Sequence, residues 1–238
     1  DARRALHDLA ELPPGVARRT QALRLKLQAT RLARQPVEAL KTARLLAKHQ
    51  GFTASAAEGL LRTLATETLD SARDADQLRS LWQNLDQQDR RDPMVVAHAA
   101  KRMADLGAPL EARQWLAPLW DRIGQLPSDA AEALATALRH SLLGLEAEWL
   151  PRLDATTQAA LRNPTLALTL GLALSERQLW GKARGMLLSA ANDLQLDPDR
   201  RRMAWAKLGQ LAEREHRDDE AAQIGRASCR KECLRLCR

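Results

Sequence analysis

Small side chains return at fixed distances along this chain: Ala39, Ala112, Ala183 and Ala221 are separated by 73, 71 and 38 residues. Those distances lie near two, two and one multiples of about 34 residues, the length of a helix–turn–helix repeat. A chain patterned in this way has to build stacked hairpins, because a single hairpin cannot bury both of its faces. Residue usage points the same way. Phe occurs once and Tyr not at all, while Ala, Leu and Arg dominate, which are strong helix formers and poor strand formers.

The best-preserved repeat begins at Asn163-Pro164, runs through Leu170-Gly171 and Leu174, breaks at Gln178-Leu179-Trp180-Gly181, and resumes with Lys182-Ala183-Arg184, Leu187, Leu188 and Ala191. This is the pattern of a tetratricopeptide unit. Gly171 and Ala183 are small so that the two helices approach closely, and Leu170, Leu174 and Leu187 fill the core around them. The following unit carries Trp205, Leu208, Gly209 and Ala212, and earlier units are marked by Leu110-Glu111-Ala112-Arg113 and Val37-Glu38-Ala39-Leu40. Less regular pairs occupy the gaps, at residues 54–69 with 75–85 and at 129–143 with 148–160.

Helix breaks are expected at Pro13-Pro14-Gly15, Gln35-Pro36, Gln50-Gly51, Asp92-Pro93, Gly107-Ala108-Pro109, Leu126-Pro127-Ser128 and Asp197-Pro198. Pro in the first turn and Gly beyond the last give helices this punctuation. The expected fold is all-α: a tetratricopeptide-like, right-handed superhelical solenoid of about six helical hairpins over residues 1–223, the last one truncated. Its concave surface is lined by the first helix of each pair.

Residues 224–238 read differently. They interrupt a helix pattern and hold all three cysteines, Cys229, Cys233 and Cys237. The run Ile224-Gly225-Arg226-Ala227-Ser228-Cys229-Arg230 resembles a translated sequencing adapter, so this segment is expected to be a non-native tail. The competing reading is a soft-metal or disulfide face, with cysteines at i, i+4 and i+8. The tail has five basic residues and one acid, and therefore supplies +4 of the formal +7 charge. Residues 1–51 hold eleven Lys/Arg against four Asp/Glu, whereas residues 52–223 hold twenty-one against twenty-five. The first helical unit is the basic one.

The longest mostly apolar stretch, residues 164–174, falls short of the roughly 20 residues that a membrane-spanning helix needs. The sequence opens on Asp1 with no charged and apolar leader pattern, so it is expected to be a piece of a longer protein without a signal peptide.

The runs Arg19-Thr20-Gln21-Ala22-Leu23-Arg24, Ala43-Arg44-Leu45-Leu46-Ala47-Lys48-His49-Gln50-Gly51, Glu148-Trp149-Leu150-Pro151-Arg152-Leu153 and Glu176-Arg177-Gln178-Leu179-Trp180-Gly181-Lys182-Ala183-Arg184 resemble the HemY family of proteobacteria. The resemblance extends over roughly residues 1–223. It implies a repeat domain on the cytoplasmic face of the bacterial inner membrane, anchored by two N-terminal spanning helices that are not in this sequence, and a place in late haem or porphyrin metabolism. The basic residues 1–51 would then face anionic lipid, where each Lys or Arg contributes about 1 kcal/mol.

Motifs that carry catalysis are missing: the sequence has no Gly-rich phosphate loop, G-x-S-x-G elbow, H-E-x-x-H or Cys-x-x-Cys. The five histidines, His7, His49, His98, His140 and His216, are dispersed without metal-ligand spacing. Most of the six tryptophans belong to the core, and Trp115 is the one best placed for a surface. Partner-binding candidates are the residues of first helices expected to face the groove: Arg24, Gln28 and Arg31; Ala97, Lys101 and Asp105; and Leu168, Leu172 and Glu176. Arginine and lysine at one end of the groove suit an acidic peptide. The clusters Arg200-Arg201-Arg202 and Asp89-Arg90-Arg91-Asp92 are too local and too diluted by acids for a nucleic-acid footprint.

The expected function is a non-catalytic protein–protein interaction scaffold without a cofactor, whose partners the resemblance places among haem-biosynthesis enzymes. The alternative is a carrier that binds haem or a porphyrin in the groove, with arginines on the propionates and His98 as the first axial-ligand candidate.

Overall fold

The computed structural model describes residues 1–217, which form α-helices, short 3-10 turns and loops, with no strand among the described residues. The cysteine-containing tail and Ala221 lie outside the described residues. Contacts cluster into two compact units, Asp1–Leu106 and Gly107–Arg238. Unit 1 contains α1 (Ala2–Ala10), α2 (Pro14–Ala17), α3 (Thr20–Leu32), α4 (Pro36–Lys48), α5 (Ala54–Asp70), α6 (Ala75–Asn84) and α7 (Pro93–Asp105). The described part of unit 2 contains α8 (Pro109–Trp120), α9 (Ser128–His140), α10 (Leu150–Ala160), α11 (Pro164–Glu176), α12 (Trp180–Asn192) and α13 (Pro198–Arg214). No helix among the described residues is long and apolar enough to cross a membrane.

Every break expected from the sequence coincides with a helix end. Proline stands in the first turn of α4, α7, α8, α11 and α13, where its missing N–H would have had no intrahelical partner. Side chains satisfy other first-turn donors: Asp92 accepts from the backbone N–H groups of Met94 and Val95, and Asn163 from those of Thr165 and Leu166.

Helix ends repeat as well. Arg34, Gly107 and Gln178 all have positive φ, at 54°, 87° and 59°, and each lies five residues before one of the small alanines Ala39, Ala112 and Ala183. The Gln35 and Leu179 N–H groups reach back to the carbonyls of Thr30 and Leu174, the reverse-turn bond that closes a helix on a left-handed residue. The same local turn thus follows α3 and α11 on non-glycine residues, and a left-handed glycine stands at the corresponding place after α7.

In unit 1, α3 packs on α1 and α4, α4 on α5, and α5 on α6 and α7. Leu23, Leu27, Ala39, Leu40, Ala43 and Leu46 are buried where α3 and α4 meet. Ion pairs tie the loops to this core. Arg44 on α4 reaches Asp86 at 2.8 Å and Asp89, while Arg62 on α5 donates to Asp92 at 2.8 Å. Burial lowers the Arg44 pKa and Asp86 counters it. The acids of the Asp89–Asp92 cluster are therefore structural anchors.

In unit 2, α11 is enclosed by α9, α10, α12 and α13. A Cβ built on Gly171 would lie 2.6 Å from Leu187 Cγ and 3.1 Å from its backbone N, so the small residue sets the approach of α11 to α12. Ala183 and Leu187 are fully buried. The helix expected over 129–143 stops at His140, where the Ser141 N–H closes on the Leu138 carbonyl; in the loop beyond, Gly144 turns left-handed with φ 66° and Arg113 gathers the carbonyls. Arg113 is 2% exposed. It donates to Glu146 through two bonds of 2.8 Å and to the carbonyls of Ser141, Leu143 and Gly144.

Guanidinium-to-carbonyl ties recur in both units. Arg24 reaches the Gly51 carbonyl at 3.1 Å, Arg102 that of Ala72 at 2.9 Å and Arg177 that of Leu145 at 3.1 Å.

Candidate functional site

The face expected to bind partners is best formed in unit 1. Leu23 and Leu27 commit one side of α3 to the core, which leaves Arg24, Gln28 and Arg31 on the other side, and all three are exposed. Leu27, Gln28, Arg31 and Leu32 of α3 line a depression of about 650 Å³ together with Glu67 of α5. Leu32 is 78% exposed, so the depression combines an uncovered apolar side chain with one cation and one carboxylate. Arg24 sits one turn earlier, with its guanidinium engaged at Gly51.

Lys101 and Asp105 are exposed on α7, as expected, but neither lines this depression. Ala97 does not join them. It is 4% exposed, because α7 turns that side toward its neighbours in unit 1.

His98 lies at the seam between α5 and α7, with its Nε2 2.8 Å from Asp70 Oδ1. A bond from Nε2 to an iron would have to displace this carboxylate. Among the described residues no three His, Cys, Asp or Glu side chains are grouped to hold a metal ion.

Unit 2 corrects one expectation outright. Leu168 is fully buried and cannot face a groove, since α11 has helices around it and is apolar on nearly every side. Leu172 is half-buried and Glu176 exposed. Only Glu176 of the three presents its side chain freely.

The tryptophans divide. Trp120 and Trp149 are buried, 5.9 Å apart and edge-to-face at 68°, with Arg152 over the Trp149 ring at 5.7 Å. Trp82, Trp115, Trp180 and Trp205 are half-buried. Trp180 and Trp205 are thus less enclosed than the core positions expected for them from the sequence. Beside the Trp120–Trp149 pair, Ile123, Gly124, Arg152 and Ala159 help to line a second depression of about 430 Å³.

No protein family, curated protein or solved structure matches this chain. Sequence reasoning missed Leu32 and Glu67. Leu32 reads as the last apolar residue of a helix face, and Glu67 enters the depression only through the pairing of its helix with the first hairpin. The available signal was polar punctuation on α5, where Thr63, Thr66, Glu67 and Asp70 interrupt the apolar stripe.

Proposed function

We propose that this protein is a non-catalytic docking module of the tetratricopeptide type, which holds a segment of a partner protein against the exposed face of α3. The supporting observation is the depression lined by Gln28, Arg31, Leu32 and Glu67. It suits a short peptide that carries an apolar side chain for Leu32 and a carboxylate for Arg31, flanked by a donor for Glu67. The resemblance to the HemY family suggests partners among the enzymes of late haem synthesis, with the module held at the cytoplasmic face of the inner membrane.

Fluorescence anisotropy of the labelled chain against each purified late haem-synthesis enzyme tests this reading. Saturable binding to at least one enzyme, weakened about tenfold or more by Arg31→Glu, is the expected result. A titration with haem provides the opposing arm. A one-to-one shift of the Soret band, abolished by His98→Ala and accompanied by no enzyme binding, would replace the docking module with a carrier.

A further inference from the structure

The exposed side of α3 is patterned beyond the depression that Arg31 and Leu32 line. Leu25 is 57% exposed and Leu32 78%, and seven residues return an α-helix nearly to the same angle two turns on, about 10.5 Å along its axis. Exposed Gln28 lies between the two leucines on this stripe, and Arg24 and Arg31, also seven apart, form the adjoining row. The stripe thus has the spacing of one side of a helix–helix seam. Across from it stands α5. Both α3 and α5 pack on α4, neither packs closely on the other, and the depression lies between them. Gly59, Thr63 and Glu67, four residues apart, are exposed on one side of α5. A Cβ on Gly59 would meet nothing within 4 Å, and the Thr63 hydroxyl is spent on its own helix, donating to the Gly59 carbonyl at 3.0 Å.

Two opposite charges face this gap unspent. Arg31 and Glu67 line the same depression, yet neither side chain pairs with the other or with any other of the described residues. Their neighbours are engaged, Arg24 at the Gly51 carbonyl and Asp70 at His98. The spacing of the leucines decides which backbone form suits the gap. A strand covers that distance in about three residues, and an odd step puts the two side chains on opposite faces. A helix covers it in seven, with both side chains on one face. A helix also carries its flanking residues to either side of its apolar ridge, so that a carboxylate meets Arg31 on one flank and a cation meets Glu67 on the other.

We infer that the segment docked on unit 1 is an amphipathic helix lying along α3 beside α5, with apolar residues seven apart over Leu25 and Leu32, acids on the flank at Arg31 and a basic residue at Glu67. The inference rests on the reading of the α3 face as a docking surface. It adds Leu25, which does not line the depression, to the residues that hold the partner.

Three fluorescein-labelled peptides, each about 20 residues long, test this by anisotropy against the full chain. The first has leucines at alternating three- and four-residue steps on one helical face, glutamates on one flank and lysines on the other. The second has the same composition with the leucines scattered around the helix, and the third is the first with two central residues replaced by proline. The first is expected to bind saturably, about tenfold or more tighter than the others, with a gain in far-UV helical signal on mixing. Leu25→Gln in the protein should weaken it about fivefold, whereas Leu194→Gln, at an 80% exposed leucine of unit 2, should leave it unchanged. Equal affinity for the proline peptide, or parental affinity in folded Leu25→Gln, overturns the helical mode. Absence of preference for the first peptide over the scattered one, with Arg31-dependent enzyme binding retained, also overturns it and leaves the docking surface standing. Loss of both peptide and enzyme binding removes the docking surface itself.

Discussion

Gly171 and Leu187 occupy one contact between α11 and α12, and the space that a Cβ at 171 would need is already taken by Leu187. Gly185, in the interior of α12, has open space where its Cβ would lie. The two glycines should therefore respond in opposite ways to the same change. Gly171→Ala gains up to about 1 kcal/mol of helix propensity but overpacks a core contact at a cost of about 1–3 kcal/mol. A net loss of about 1–2 kcal/mol is expected in urea denaturation. Gly185→Ala should gain about 0.5–1 kcal/mol in the same measurement.

The left-handed turns after α3 and α11 are occupied by Arg34 and Gln178, residues with a Cβ that resists such a backbone. Gly107 holds the equivalent place after α7 without that penalty. Arg34→Gly and Gln178→Gly should each stabilise the chain by about 0.5–1 kcal/mol, seen as a rise in Tm. An equal substitution at a helical surface position, such as Gln28→Gly, should lower Tm by a comparable amount.

Arg113 supports the loop after α9 through Glu146 and three carbonyls. Arg113→Met leaves those acceptors without their donor and is expected to cost about 3 kcal/mol. Arg113→Lys recovers only part of this, because an ammonium group cannot span the same fork. The hydrogen bond from Arg113 holds the Glu146 carboxyl below its ordinary range, with burial acting in the opposite sense. Since the folded value lies below the unfolded one, this stability is present above the ordinary glutamate range. It is lost as pH falls through the depressed folded value. Denaturation midpoints followed from neutral to acid pH should show a shallower decline for Glu146→Gln than for the parent chain. Parallel curves would refute the assignment.

Much of the helical architecture was legible because its signals are local. The Asn163-Pro164 and Asp92-Pro93 pairs start helices through caps and fixed φ angles, and Gly171 reports a close approach that no larger residue allows. The end of α9 was misplaced, since the loop that follows it is held by Arg113, distant in sequence. Leu168 was misassigned for a related reason. Its helix is apolar on nearly every side, so periodicity offers no direction for the open face, and only the neighbouring helices decide it. The exposure of Arg31 and Gln28 was legible because α3 has one strong apolar stripe, whereas Glu67 needed a second helix to bring it beside them.

Several arginines spend their hydrogen bonds on the carbonyls that end another segment, as Arg24 does at Gly51, Arg102 at Ala72 and Arg177 at Leu145. They work as rivets between segments distant in sequence. Wholesale replacement of arginine by lysine would keep the formal charge while loosening these joints, so titration behaviour could look unaltered in a protein that melts early.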